Sequence, residues 1–376
     1  MAIQNPAELS AFITAKNEDI SVTTIGVVVS IHTSTTSQPS FSLKLVAEIS
    51  SPVINSVTLQ AVSVAIKGDI AFIAYNTRGA QYTGALDIVD ISTPTQPNLL
   101  SRTTFTNKDI NSVSYSENTI ILAEAFESGI EGKNSQIEWV PLKKNIPDFT
   151  KSASALLPSY AGTSVYAHSS KQFVTSGSMG GLYMFDSSSL QLDQELISDA
   201  RWVTGSGNDV LVLSGGNNPA LYYYQISRNT LSPIAHFSIA GASELEAKSV
   251  VELVSNYAVV GGNKQGVLIY NLDTAQLVAR ISIPVLNNAN IQISSNSVSV
   301  DKDLIIISNG EAGVYIAQNP QNLSAVHKDS DMKPVILGQL DFGTSISVNH
   351  VEYKNDVLIV AAGLGGVKIV SVTNNK

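Results

Sequence analysis

From residue 41 onward the chain repeats one event, and that repetition limits its fold more than any other feature. A run of apolar residues follows a polar turn, as in Thr119-Ile120-Ile121-Leu122, Asp209-Val210-Leu211-Val212-Leu213 and Asp356-Val357-Leu358-Ile359-Val360. A glycine-rich loop comes next, such as Gly261-Gly262-Asn263-Lys264-Gln265-Gly266 or Ser308-Asn309-Gly310-Glu311-Ala312-Gly313. A second apolar run then begins at or beside the loop's last glycine. Runs this short with continuous apolar character suit strands covered on both sheet faces. Gly181, Gly266, Gly313 and Gly366 mark the event at a spacing of about 40 to 50 residues, the period of a four-stranded blade.

Units begin near residues 61, 111, 162, 201, 248, 294 and 346, which makes seven. In the first, strands are expected over Ala61 to Ile66, Ile70 to Tyr75, Ala85 to Ile91 and Leu99 to Phe105, with Lys67-Gly68-Asp69 as a tight hairpin. The last unit ends after its third strand, and the alternating run Leu43 to Ile49 has no unit of its own. Placing that run as the missing fourth strand closes the array and removes the open edge. The predicted fold is all-β, a seven-bladed propeller of four-stranded antiparallel blades closed by an N-terminal strand. Its domain spans residues 41–376. Residues 1–40 form an arm or linker, with a short helix over Pro6 to Ala15, a strand over Ser21 to Ile31 and a polar tether over Thr33 to Ser40.

The clearest repeat is Gly84-Ala85-Leu86-Asp87-Ile88-Val89-Asp90-Ile91-Ser92-Thr93-Pro94, with Pro97 beyond it. It resembles the LVIVD repeat of bacterial and archaeal proteins. Other units keep the glycine and the apolar centre but lose the closing Asp, except Asp186. The resemblance implies a β-propeller, exported or displayed at a cell surface, and it supplies no catalytic residues. Asp90 and Asp186 are expected to accept hydrogen bonds from the turns that follow them.

Composition narrows the function. The chain carries 22 basic and 31 acidic residues, a net charge of -9. Its basic residues are scattered, whereas a nucleic-acid surface needs them clustered. Without cysteine, disulfides, thiolate metal sites and thiol nucleophiles are excluded. No apolar run reaches the length of a membrane span, and Met1-Ala2-Ile3-Gln4 lacks the regions of a signal peptide. The resemblance to the LVIVD repeat nonetheless implies an extracytoplasmic or cell-surface protein, with its leader not present in this chain. The five histidines have no metal-ligand spacing, and no nucleophile elbow or dinucleotide fingerprint is present. Two acidic groups, Glu124 with Glu127 and Glu131, and Asp329 with Asp331, offer the oxygen ligands that Ca²⁺ takes. Neither follows a calcium-loop pattern, so both read as solvated loops and no cofactor is expected.

Propeller geometry singles out one face. Loops between second and third strands emerge beside the connections between blades. The loops bring Arg78, Tyr82, Glu127, Asn263, Lys264, Asn309 and Glu311 to this face, and the connections add Asp109, Tyr160, Arg201, Trp202 and Glu244. These loops vary in length while the opposite hairpin turns stay short, as expected when recognition sits on a rigid scaffold. The expected function is non-catalytic binding of a protein, peptide or glycan at this channel-mouth face. Two alternatives stand beside it. One is a polysaccharide hydrolase or lyase with acid and base groups at the channel mouth, recognisable by converging carboxylates or histidine of perturbed pKa. The other is a structural surface-layer or adhesion subunit, recognisable by a large flat apolar patch.

Overall fold

A computed structural model describes residues 1–20, 41–79, 81–243, 248–283, 293–302, 304–319, 323, 328–343 and 346–374. The strand and tether expected within residues 21–40 lie outside these residues, as does Glu244.

Seven antiparallel sheets of four or more strands form the blades. The first runs Gln60–Lys67, Ile70–Asn76, Gly84–Asp90 and Asn98–Phe105 from the inside outward, within two residues of the sequence expectation. Inner strands of the following blades are Lys108–Ser116, Ser164–His168, Ala200–Ser206, Val251–Val254, Ser297–Asp301 and His350–Lys354. Blade 2 departs most from the plan: a short excursion through Ile146–Pro147 separates its third strand, Ser135–Lys143, from its outer strand, Ala153–Leu157.

Apolar packing lies between blades. Each of the seven core clusters among the described residues draws side chains from two neighbouring blades, and together they cover every junction of the ring. The junction of blades 7 and 1 is built like the others, from Ile49, Ile359 and Ile369 against Ala61, Ile73 and Leu99. The ring is closed by side-chain packing as well as by backbone pairing.

The closing strand is Phe41–Ile49, which pairs antiparallel with Val367–Asn374, the third strand of blade 7. Two details show that it occupies a true fourth-strand position. Its pairing skips one residue between Leu45 and Ala47, and third-to-fourth pairs carry a bulge near the same level in blades 1, 3, 4, 5 and 6. The third-strand glycine also meets it as it does elsewhere. A Cβ on Gly266, Gly313 or Gly366 would lie 2.2, 2.2 or 2.1 Å from the outer strand's carbonyl oxygen, on Ile281, Leu340 and Ile49 respectively. The same three glycines have φ of 77°, 79° and 73°. Close approach and left-handed backbone together demand glycine, which explains the repeat's strongest sequence mark.

The N-terminal residues extend this edge. Phe41–Ile49 is not outermost in its blade, because Ile13–Ile20 pairs along its outer side, from Ile13 opposite Ile49 to Ile20 opposite Leu43. Ala2–Ile3 pairs with the outer strand of blade 1. The helix expected over Pro6 to Ala15 is a single turn, Pro6–Leu9, capped by the Asn5 side chain accepting from the Ala7 amide at 2.9 Å. Beyond it the available edge of blade 7 draws the chain into a strand, since pairing satisfies the backbone groups that a marginal helix would leave to water.

Candidate functional site

Each inner strand faces the central axis with one edge lacking a strand partner, and its amides need acceptors. Neighbouring blades supply them from side chains. Ser112 Oγ accepts from the Val165 amide at 3.3 Å, Ser164 Oγ from Val203 at 3.3 Å, and Ser297 Oγ from Val351 at 3.0 Å. Ser299 repeats the contact with Tyr353 at 2.9 Å. At two junctions an ionisable group does this work: Glu252 Oε2 accepts from Val300 at 3.1 Å, and His350 Nδ1 accepts from Val64 at 3.3 Å. An accepting Nδ1 carries no proton, so His350 is neutral here.

His350 and Glu252 belong to a group that spans the axis. Lys248, at the entrance to blade 5's inner strand, donates to the Val62 carbonyl of blade 1 and lies 4.9 Å from the Trp202 ring centre. Trp202, from blade 4, packs 5.2 Å from the His350 ring of blade 7. Blades 1 and 5, like blades 4 and 7, are not ring neighbours, so these contacts cross the channel near the end where inner strands begin. Further along the inner strands, Glu352 on blade 7 lies within electrostatic reach of Glu252, and of Asp301 and Lys354 at the far ends of their strands.

The electrostatics follow from enclosure. Desolvation lowers Lys248 to about 7, and no carboxylate among the described residues pairs with it. Burial and the adjacent Lys248 charge hold His350 well below the usual imidazole range. Burial raises both Glu252 and Glu352 above the usual carboxyl range, and their mutual repulsion raises Glu352 further. These groups carry no short-range sequence motif because four blades contribute them. Only Trp202 was singled out from the sequence.

The other sequence candidates divide by depth. Asp109, Asn263 and Asn309 are buried and hold loop bases. Asp109 accepts from the Thr77 and Thr83 amides at 3.2 and 3.0 Å, which fixes both ends of the loop carrying Arg78 and Tyr82. Burial raises its carboxyl pKa against these hydrogen bonds. Asn263 accepts from Ser249 Oγ at 3.1 Å and donates to the Lys248 carbonyl at 3.0 Å, and Asn309 accepts from Ser295 Oγ at 2.6 Å. Arg201 is buried and pairs with Asp199 at 2.9 Å.

Exposed on the loop face are Arg78, Glu127, Tyr160 and Lys264, with Tyr82 and Glu311 half-buried. Tyr82 reaches toward blade 2, where its hydroxyl accepts from Asn134 Nδ2 at 3.3 Å. The acidic groups weighed for Ca²⁺ do not share one environment. Glu124 is fully buried and paired with Lys108 at 2.9 Å, while Glu127 and Glu131 are exposed. Asp329 accepts from Tyr257 Oη at 3.1 Å and Asn271 Nδ2 at 2.8 Å.

The strongest repeat holds a further group that sequence reading passed over. Asp87, completely buried, receives Arg102 Nε at 2.8 Å and an Arg102 terminal nitrogen at 2.6 Å, with Tyr75 Oη donating at 2.8 Å. Arg102 also donates to the Ser50 carbonyl at 2.8 Å and lies 4.5 Å from the Phe12 ring centre. Asp87 and Arg102 sit directly opposite each other in register, the one signal that could have paired them. Asp90 and Asp186 behave as expected: Asp90 accepts from the Ser92 amide at 2.8 Å, and Asp186 from the Ser188 and Leu190 amides at 2.9 and 3.0 Å.

Comparison with known proteins agrees with this architecture. Residues 60–104 match the LVIVD repeat model, a span that takes in all four strands of blade 1 up to Thr104. Comparison with curated proteins gives no match. Among solved structures, the WD40 repeats of RRP9 superpose with a TM-score of 0.62 at 9% identity, over 85% of this chain and 97% of that one. The structure of U3-55K superposes with 0.61 at 9% identity, over 85% and 98%. At such identity the likeness is one of fold. Among the described residues no helix is long and apolar enough to cross a membrane. The chain is a seven-bladed β-propeller built around an LVIVD repeat.

Proposed function

We propose that the protein is a non-catalytic recognition scaffold, exported or displayed at a cell surface, which binds a protein, peptide or glycan on its loop-rich face. One observation carries this reading: the loops are fixed at their bases and exposed at their tips. Asp109, Asn263 and Asn309 hold the bases through buried hydrogen bonds, while Arg78, Glu127, Tyr160 and Lys264 reach solvent. Loops ordered before binding lose little conformational entropy on binding. The extracytoplasmic placement rests on the LVIVD match, since proteins with this repeat are typically extracellular.

The test is a glycan array and a peptide library presented to the whole chain. Ligands that bind should lose affinity by about 1 to 3 kcal/mol when Arg78, Tyr160 and Lys264 are replaced together by Ala. They should be insensitive to Lys67→Glu and Arg228→Glu in the opposite hairpin turns. The reverse sensitivity would overturn the assignment.

The channel favours a second reading, polysaccharide cleavage. Glu252 and Glu352 are two carboxyls with raised pKa in the channel that also holds Lys248 and His350, the pattern of an acid–base site. Against it, Glu252, His350 and Lys248 each already bond the backbone of another blade. Glu352→Gln separates the two readings: it should abolish turnover of a polysaccharide substrate in the second and leave loop-face binding unchanged in the first.

A further inference from the structure

Three large apolar side chains stand exposed on consecutive loops of the same face: Ile130 at 50%, Tyr160 at 58% and Met179 at 50%. Ile130 lies in the second-to-third-strand loop of blade 2, Tyr160 in the connection from blade 2 to blade 3, and Met179 in the corresponding loop of blade 3. Ser159 draws the three loops together. Its amide donates to the Gly132 carbonyl at 2.7 Å, its carbonyl accepts from the Asn134 amide at 2.9 Å, and its hydroxyl accepts from the Met179 amide at 3.3 Å. The Met179 terminal methyl lies 3.4 Å from where a Gly132 Cβ would stand. Ser159 itself holds φ of 94°, a strained value for a residue with a side chain. The loops are thus fixed in an arrangement that leaves apolar surface in water.

We propose that Ile130, Tyr160 and Met179 form a docking patch for a polypeptide segment that inserts an apolar side chain flanked by Lys or Arg. This rests on the reading that the loop-rich face is the binding face, and it names the partner's chemistry. Single exposed apolar residues need no explanation, but converging ones mark interaction surfaces. Tyrosine and methionine are enriched at protein interfaces, and methionine adapts its shape to what it meets. Charge decides the flanks. Glu127 and Glu131 stand exposed in the same loop as Ile130, opposed there by Lys133 alone, and the chain as a whole carries -9. A basic segment meets this acidic rim favourably, and an acidic one is repelled.

The experiment selects displayed random 12-residue peptides on the whole immobilised chain and measures affinity of the enriched peptides by fluorescence anisotropy. Enriched sequences should share an aromatic or aliphatic residue with Lys or Arg within a few positions. Tyr160→Ala and Met179→Asp should each weaken them at least 10-fold, and Glu127→Lys with Glu131→Lys should do the same. Leu364→Asp, on the same face in blade 7, should change affinity less than 2-fold. No enrichment, an acidic or purely polar consensus, or unchanged affinity in Tyr160→Ala and Met179→Asp overturns the patch. Loss confined to Leu364→Asp also overturns the patch but keeps the face. Loss confined to Lys67→Glu and Arg228→Glu in the opposite turns removes both.

Discussion

Removing Arg102 should be among the most damaging single changes in the chain. The side chain is 2% exposed and its partner Asp87 is completely buried. Arg102→Ala deletes both hydrogen bonds of a two-point ion pair, the bond to the Ser50 carbonyl and the stacking on Phe12. Asp87 keeps only the Tyr75 hydroxyl, and its charge stays enclosed. Breaking a buried pair by removing one partner costs about 3 to 5 kcal/mol. At about 2 °C per kcal/mol, a value suited to a large domain, the melting temperature should fall by about 6 to 10 °C.

The cause can be separated from simple loss of packing. The double variant Asp87→Leu with Arg102→Met, which leaves no buried charge, should recover most of the loss. Urea unfolding followed by tryptophan fluorescence measures all three. A deficit below about 1 kcal/mol in Arg102→Ala, or a double variant no better than the single one, would refute the reasoning.

Other expectations follow from the same geometry. Deleting residues 41–50 removes the closing strand and takes Val46, Ala47 and Ile49 out of the apolar junction between blades 7 and 1, so cooperative thermal unfolding seen by circular dichroism should be lost or its midpoint lowered sharply. Asp90→Ala should cost about 1 kcal/mol in urea unfolding, and Asp186→Ala more, because Asp186 accepts from two amides and a hydroxyl where Asp90 accepts from one amide. Lys248 falls from 10.5 to about 7 on folding, so between those values the unfolded chain binds the extra proton and stability rises with pH; Lys248→Met should abolish that rise in a pH series of melts. Glu252 has the opposite sign: raised from 4.5 to about 7, it makes stability fall as pH climbs through that range, and Glu252→Gln should flatten that limb.

What could be read from the sequence depended on how far apart the interacting residues lie. Gly266, Gly313 and Gly366 announced the blade period because their demand is local: a left-handed backbone and a carbonyl just over 2 Å from a would-be Cβ exclude every other residue. Asp90 and Asp186 were legible for the same reason, since their partners lie within four residues. Closure was inferred by counting strands, and the bulge between Leu45 and Ala47 shows why the count succeeds: the N-terminal strand carries the geometry of the position it fills.

The channel group could not be read this way. Lys248 and Val62 are 186 positions apart, His350 and Val64 are 286 apart, and each is joined only when the ring closes. His350 and Glu252 also occupy a role that serine fills at other junctions, so their backbone contacts alone mark them as structural. Their charge is what serine does not supply. An amide acceptor needs no titratable group, and replacing serine by Glu or His at the axis places chargeable atoms where desolvation is costly. The loop face shows the converse. Asp109, Asn263 and Asn309 were chosen from the sequence as surface residues because they sit in loops, yet each is buried to satisfy loop backbone or a neighbouring hydroxyl. Asp109 and Asn263 thereby support the loops that carry Arg78 and Lys264, and Ser159 does the same for Tyr160, so buried polar residues hold in place the residues that this face exposes.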